Sequence, residues 1–285
     1  MKKGVRMHWR IRICAGLVLA LFSFGCGATP KAIIPMDKVH SQQLLQNPAG
    51  IIVLVPEKRL EFTERFYRVL LMSMKENYYT FEGIWDPSVV LEEQWIKTLH
   101  QKFNVQSIPL RKKLDPVTYR ELSTTCEKTC NTARKHGTAS TSTMGWTKFD
   151  NEFSRTPPES YLKSIPPDTL LSMKQVLGSD YIFELTIGGI SIYSWLQGDL
   201  FLRVFVYGRL IRLSDGAVLW LDKIIGATKI DNLKDYKELE ANNLALLKEH
   251  YEKAVVNMFD SNRKVRVGMS VSYSSSSFFK GLFPE

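Results

Sequence analysis

The sequence predicts an α/β protein, a mixed β-sheet packed with helices. Three observations carry this. Short continuous apolar runs such as Ile51–Leu54 read as buried strands, longer segments carry apolar residues at helical spacing, and LFLRVFVYGRLIRL at 200–213 meets AVLWLDKII at 217–225 across Ser214-Asp215-Gly216. An Asp-Gly step between alternating apolar strands is a strong hairpin signal.

The domain is expected to begin at AGIIVLVPE, residues 49–57, whose apolar run between Gly50 and Pro56 suits a central strand. Phe62, Phe66, Val69, Leu70 and Met74 then recur at helical spacing, which predicts an amphipathic helix over Leu60 to Asn77, followed by a strand from Tyr78 to Trp85. Asp86-Pro87 supplies an N-cap and a first-turn proline, and Leu91, Trp95, Leu99 and Phe103 mark the buried face of the helix beyond. FNVQSIPL, 103–110, reads as a short strand. Asp115-Pro116 repeats the start signal for a helix along Tyr119, Leu122, Cys126 and Ala133 that stops at Gly137.

Residues 123–147 contain 11 Ser or Thr in 25 positions, too little apolar surface for a core, so a polar insertion is expected over about 111–160. A short helix over 165–178 should end at Gly178, and SDYIFELTI should place Tyr181, Phe183, Leu185 and Ile187 on one face of a strand. In the hairpin that follows, Leu200, Leu202, Val204, Val206 and Leu210 line one face. Arg203, Arg209, Phe201 and Phe205 mix on the other, which is read as partly wet or under an amphipathic cover. A long helix from about Leu233 to Asp260 closes one layer. Last, Val265, Val267, Met269, Val271 and Tyr273 alternate with polar residues as an extra strand within a carboxyl-terminal tail, 263–285.

The amino terminus points to export. Lys2, Lys3, Arg6, Arg10 and Arg12 precede an apolar run from Ile13 to Gly25 that is too short for an ordinary membrane-spanning helix, and Gly25, Cys26, Gly27 and Ala28 follow as small residues. Residues 1–25 are therefore expected to be a cleaved signal peptide and 26–48 a tether to the domain at 49–262. Five of the 38 basic residues and none of the 29 acidic ones lie in the signal, leaving an excess of four in the remainder. That ordinary balance gives no reason to expect nucleic-acid binding.

SFGC at 23–26 resembles the lipobox of bacterial lipoproteins, in which the Cys is acylated and becomes the new amino terminus. The family prefers Leu where this chain has Ser23 and a small residue where it has Phe24, so two processing outcomes stay open: acylation of Cys26, or ordinary cleavage after Ala28. With acylation, the absence of Asp at position 27 implies an outer-membrane anchor with the domain facing the periplasm.

Cys126 and Cys130, spaced CEKTC, are the cysteines left in the domain, and in an oxidising compartment they are candidates for a local disulfide. Free thiols or an intermolecular bridge are the alternatives. Cβ atoms four apart on a regular helix stand about 5–6 Å from each other, wider than a disulfide needs, so the helix would have to distort there. No second Cys pair exists to complete a metal site, so no metal is expected.

LGSDYIFEL at 177–185 and GRLIRLSDGAVLW at 208–220 are similar to the pattern of envelope proteins that share the TolB amino-terminal-domain fold. There a short helix ends in a Gly-x-Asp-Tyr turn into a strand, and a later hairpin ends in Trp. Relatives include the curli-secretion lipoprotein, lipoproteins that activate peptidoglycan synthases and lipoproteins of polysaccharide export. The resemblance covers about 49–110 and 160–262 and implies a fold, not an activity.

The sequence holds no HExxH, GxSxG, GxGxxG or phosphate-loop pattern, and no catalytic residue or cofactor is assigned. His40, His100, His136 and His250 are read as surface residues, Asp180 as a turn residue and Trp220 as core. The expected function is that of a non-enzymatic envelope lipoprotein acting by protein contacts in an assembly, secretion or export machine. Its expected partners are the membrane, through the amino-terminal lipid, and an envelope protein, with homo-oligomers also considered. The competing readings are a ring-forming outer-membrane pore subunit, which needs lipid-facing strands of about 9–11 residues, and an envelope hydrolase.

Overall fold

A first helix, α1, spans Lys38–Gln46, and the first strand, β1, spans Ile51–Leu54 in the computed structural model. The structure describes residues 32–46, 51–54, 60–68, 73–81, 85–121, 171, 174–175, 177–194, 200–231, 237–260, 264–267, 271–274, 279–280 and 282–283. Next in order are β2 (Leu60–Arg68), β3 (Ser73–Phe81), α2 (Pro87–Phe103), β4 (Ser107–Pro109), β5 (Tyr181–Ser194), β6 (Leu200–Arg212), β7 (Val218–Ile230), α3 (Lys237–Phe259), β8 (Lys264–Val267) and β9 (Val271–Ser274).

The sheet is mixed, and β5 is its hub. Along one side β5 pairs antiparallel with β6, from Tyr181 opposite Arg212 to Ser194 opposite Leu200. Along the other it is shared: Tyr181–Glu184 run parallel to β1, and Ile190–Ser194 run parallel to β2. Beyond these lie β4, parallel to β1, and β3, antiparallel to β2, while β7 continues the other flank beside β6. The register of β5 shifts at Gly188 and Gly189, between the segments that serve β1 and β2. Both glycines lie under the Phe205 ring, where an added Cβ would fall 2.3 Å and 2.5 Å from ring carbons. The missing side chains let the aromatic ring cover the bulge.

Over 60–81 the structure has the hairpin β2–β3, with Leu60 opposite Phe81 and Arg68 opposite Ser73; a helix was expected over 60–77, whereas Tyr78–Phe81, at the start of the strand expected over 78–85, lies in β3. The cause is an ambiguity of period. A spacing of four, as from Phe62 to Phe66, keeps residues on one face of a helix and equally on one face of a strand. The aromatic and β-branched content of Phe62, Thr63, Phe66, Tyr67, Tyr78, Tyr79 and Thr80 favours the pleated surface.

α2 forms as its sequence signals. The Asp86 carboxylate accepts from the Ser88 backbone N–H at 2.9 Å, Pro87 opens the first turn, and Asn104 closes the helix in the left-handed region with φ of 53°. Leu91, Trp95 and Leu99 are fully buried, and Phe103 packs beside them. The Asp115 carboxylate likewise accepts from the backbone of Val117 and Thr118, starting a helix at 116–121. Leu122, Cys126 and Ala133, expected to continue it, lie outside the described residues. At 178 the predicted stop is present: Gly178 has φ of +61° and its N–H returns to the Lys174 carbonyl.

The β6–β7 turn also follows the sequence. Gly216 takes a positive φ of 73°, and the Asp215 carboxylate accepts from Arg212 Nε at 3.0 Å and from the Ala217 backbone at 3.1 Å. The main core forms where α2 and α3 cover one face of the sheet. Phe183, Leu185 and Ile187 of β5 and Leu202, Val204, Val206 and Leu210 of β6 meet Trp95, Trp220, Leu247, Tyr251 and Met258 there. At Gly226 a Cβ would stand 2.1 Å from the Ala254 carbonyl oxygen, so α3 rests directly on the β7 backbone. On the opposite face a smaller cluster of Leu110, Tyr119, Leu177, Ile182, Ile211 and Leu213 covers one end.

Two terminal readings change. The expected carboxyl-terminal strand is folded in two, with Val265 opposite Tyr273 and Val267 opposite Val271, so it is a hairpin of four-residue strands instead of one spare strand. The tail beyond it belongs to the core, because Phe279, Leu282 and Phe283 are buried. Phe103 packs at 4.1 Å between centroids on Phe283, and Phe279 stacks on Trp95 at 6.3 Å. Lys102 ties this corner together, donating to the Phe259 carbonyl at the end of α3 and lying 4.4 Å over the Phe279 ring. At the other terminus, part of the expected tether is packed on the domain.

Candidate functional site

The amino-terminal segment reaches the sheet at its β7 edge. Ile34 and Leu221 exchange two backbone hydrogen bonds, of 2.9 Å and 3.0 Å, as one antiparallel bridge. Two apolar residues follow it inward, since Met36 and Leu44 join the main core and Ser41 is buried between them in sequence. The burial of Ala32, Met36, Ser41 and Leu44 at spacings of three to five is what places α1 against the domain. Asp37 caps α1 by accepting from the His40 backbone at 2.9 Å, and that hydrogen bond holds its carboxyl below the usual carboxylate range.

His40 joins the segment to the hairpin turn. One ring nitrogen, Nδ1, pairs with the Asp37 carboxylate, and Nε2 lies 2.8 Å from an Arg212 guanidinium nitrogen. The two contacts fit together when Nδ1 carries the proton and Nε2 accepts from Arg212. Arg212 also holds Asp215, whose carboxyl is lowered to about 2, first by the Arg212 hydrogen bonds and then by the Ala217 N–H. The turn read from Asp215-Gly216 is thus also the surface that receives the start of the domain. Of the histidines beyond the signal segment, His40 is half-buried in this contact, His100 is exposed and His136 lies outside the described residues. His250 departs from the surface reading: it is buried on α3, its Nδ1 has no hydrogen-bond partner, and burial pushes its pKa down.

On the sheet face away from α2 and α3 lies a second polar feature. Glu184 and Arg209 stand opposite each other on β5 and β6, with Arg209 Nε at 3.0 Å and a terminal nitrogen at 2.7 Å from one Glu184 oxygen, and both are buried. Arg203 donates to Ser191 at 3.3 Å, and the Lys223 ammonium lies 4.6 Å from the Phe205 centroid and 5.4 Å from that of Tyr207. Arg203 and Arg209 were expected on a face either partly wet or under an amphipathic cover, and with only 4% and 2% of their surface exposed they are covered. Cross-strand pairing makes that burial tolerable. A buried arginine is tolerable when a carboxylate faces it, as Glu184 faces Arg209.

A third cluster sits at the start of α2. Arg111 donates to the buried Glu92 at 3.0 Å and lies over the Tyr119 ring, Ser88 donates to Asp86, and the Tyr251 hydroxyl donates to the Pro87 carbonyl. Burial raises the Glu92 pKa against the pull of Arg111. Among the described residues the Ser88 hydroxyl meets Asp86 and Arg111 and no histidine or lysine, and the geometry is that of a capped and braced helix start. Asp180 has the expected turn position, with its backbone carbonyl accepting from Leu213 N–H, and Trp220 is fully buried.

Cys26, Cys126 and Cys130 lie outside the described residues. Among the described residues no group of three or more His, Cys, Asp or Glu could hold a metal ion, and no helix is long and apolar enough to cross a membrane.

No family model and no curated protein matches the chain. Among solved structures it is similar to lipoprotein GNA1162 from Neisseria meningitidis, at 12% identity over 70% of this chain and 96% of that one, with a TM-score of 0.30. It is also similar to the hypothetical protein CT253 from Chlamydia trachomatis, at 11% identity over 72% and 91%, with a TM-score of 0.33. The LpoB carboxyl-terminal domain from Salmonella enterica matches at 10% identity over 68% and 96%, with a TM-score of 0.22. Bacterial lipoproteins are therefore among the structural neighbours. At these scores the likeness carries nothing about partners or activity.

Proposed function

We propose that this chain is a lipid-anchored protein of the bacterial cell envelope that works through protein contacts and catalyses no reaction of its own. The observation that carries the reading is the amino-terminal sequence: five basic residues, an apolar run from Ile13 to Gly25, then Cys26 among small residues. Such a segment directs export and places the Cys26 thiol at its end for acylation. An anchor at the outer membrane with the domain in the periplasm follows from the same segment, because position 27 is Gly and not Asp.

The sheet supports the contact role. Among the described residues β3 pairs on one side only, with β2, and it is nine residues long. A strand of that length at a sheet edge can accept a partner's strand, and Lys75 and Glu76 within it are the kind of charges that discourage indiscriminate pairing. The strand expected over 265–273, on which the pore reading drew, is a hairpin of four-residue strands, β8 and β9.

Crosslinking in intact envelopes followed by affinity purification tests the contact role. Recovery of one specific envelope protein, lost when Lys75→Pro is introduced into β3, is the expected result. Failure to recover any specific partner, or hydrolytic activity on glycan, peptide or ester substrates, would overturn it.

A further inference from the structure

We propose that the domain lies on the bilayer surface, with α1 against the lipid headgroups. The inference rests on the acylation of Cys26 proposed above. It comes from the length of chain between the lipid and the fold. Ala32, six positions after Cys26, is already buried, and Ile34 is already hydrogen-bonded to β7. Six residues span no more than about 22 Å even when fully extended. The acylated end lies at the membrane, so the β7 edge at Leu221 cannot stand far from it.

What the fold presents beside that attachment point suits a lipid surface. Val39 and Leu45 of α1 are 62% and 40% exposed, and they are two of the five large apolar residues exposed in the described structure. The exposed Lys38 precedes them on the same helix. Apolar side chains that reach the headgroup boundary, with a cation that contacts lipid phosphate, are the chemistry of an interfacial helix. The other side of α1 is occupied, because Ser41 and Leu44 face the domain. A short tether, the exposed Val39 among polar residues on the side of α1 turned away from the domain, and a fixed inward face together choose the bilayer as the occupant of this surface. The domain then cannot cross the periplasm; its partners must come to the membrane.

The test uses the full chain, processed in a bacterial host and reconstituted into vesicles of phosphatidylethanolamine and phosphatidylglycerol doped with a headgroup nitroxide lipid. A fluorescent amino acid replaces Val39 in one sample and Lys229 in another. Both positions are exposed, and Lys229 lies eight residues along β7 from Leu221, roughly 27 Å at about 3.4 Å per residue. Quenching should remove about half or more of the emission at position 39 and little of that at 229. Inserting about 20 Gly and Ser residues after Gly27 should weaken membrane contact and bring the two positions together. If the protein floats with the vesicles but position 39 is quenched no more than 229, the anchor stands and this orientation is wrong. If it does not float, both readings fall.

Discussion

The two faces of the sheet are buried by opposite means. Against α2 and α3, Phe183, Val204, Val206, Trp95 and Trp220 exclude water as apolar surface, with Gly226 admitting the helix backbone. On the other face, Glu184, Arg209, Arg203 and Lys223 are nearly as inaccessible, yet they are held by a carboxylate, a hydroxyl and two aromatic rings. Apolar burial tolerates changes that keep volume, whereas paired charges tolerate changes only when both partners go together.

The largest effect should come from the apolar side. Ending the chain at Ser277 removes Phe279, Leu282 and Phe283 from the core, and at about 1.5–3 kcal/mol for each buried side chain the loss should be on the order of 5 kcal/mol. Chemical denaturation would show it as a large fall in midpoint. If the midpoint hardly moves, the tail is not part of the core.

On the charged side the expectation is a contrast. Glu184→Gln leaves Arg209 buried without its counter-ion and should cost about 3–5 kcal/mol, while Glu184→Leu combined with Arg209→Met should be near neutral or stabilising. A double-mutant cycle measures the difference. Equal, additive losses would mean that the two residues act independently. Gly226→Ala should cost about 1–3 kcal/mol or more, because its Cβ meets the backbone of Ala254 and α3 must lift from β7. Unchanged stability would show that α3 yields easily there.

The smallest effect is a pH slope. His250 has its pKa pushed below the ordinary value of 6.5 by burial, so as pH falls through 6.5 the unfolded chain takes up the proton first and stability declines. That part of the decline should stop once pH passes the lowered value, and His250→Gln should flatten it. An identical slope in the variant would assign the effect elsewhere.

Much of this architecture is legible in the sequence. Asp86-Pro87 and Asp115-Pro116 start helices, Gly178 ends one, and the alternation of β6 names its core face correctly from Leu202 to Leu210. The failures have a common physical origin in contacts distant along the chain. Phe62 and Phe66 fit both periods, and the hairpin over 60–81 depends on pairing with β5, about 130 residues away. A charged residue in a strand leaves a wet and a covered face both open until its partner is placed, so the burial of Arg209 needed the register that sets Glu184 opposite it. Phe279, Leu282 and Phe283 follow closely on a serine run and carry no period long enough to announce an element. Of the candidate site, Cys26 is visible as a motif, whereas the docking of Ile34 on Leu221 that limits the tether is not, since one isolated bridge leaves no pattern.

Lipid anchoring is tested most directly by the mass of the mature amino terminus, measured on protein extracted from membranes. The expected species is a chain that starts at an acylated Cys26, heavier than its sequence by the attached diacylglycerol and amide-linked acyl groups. A chain starting at residue 29 with no added lipid would contradict it.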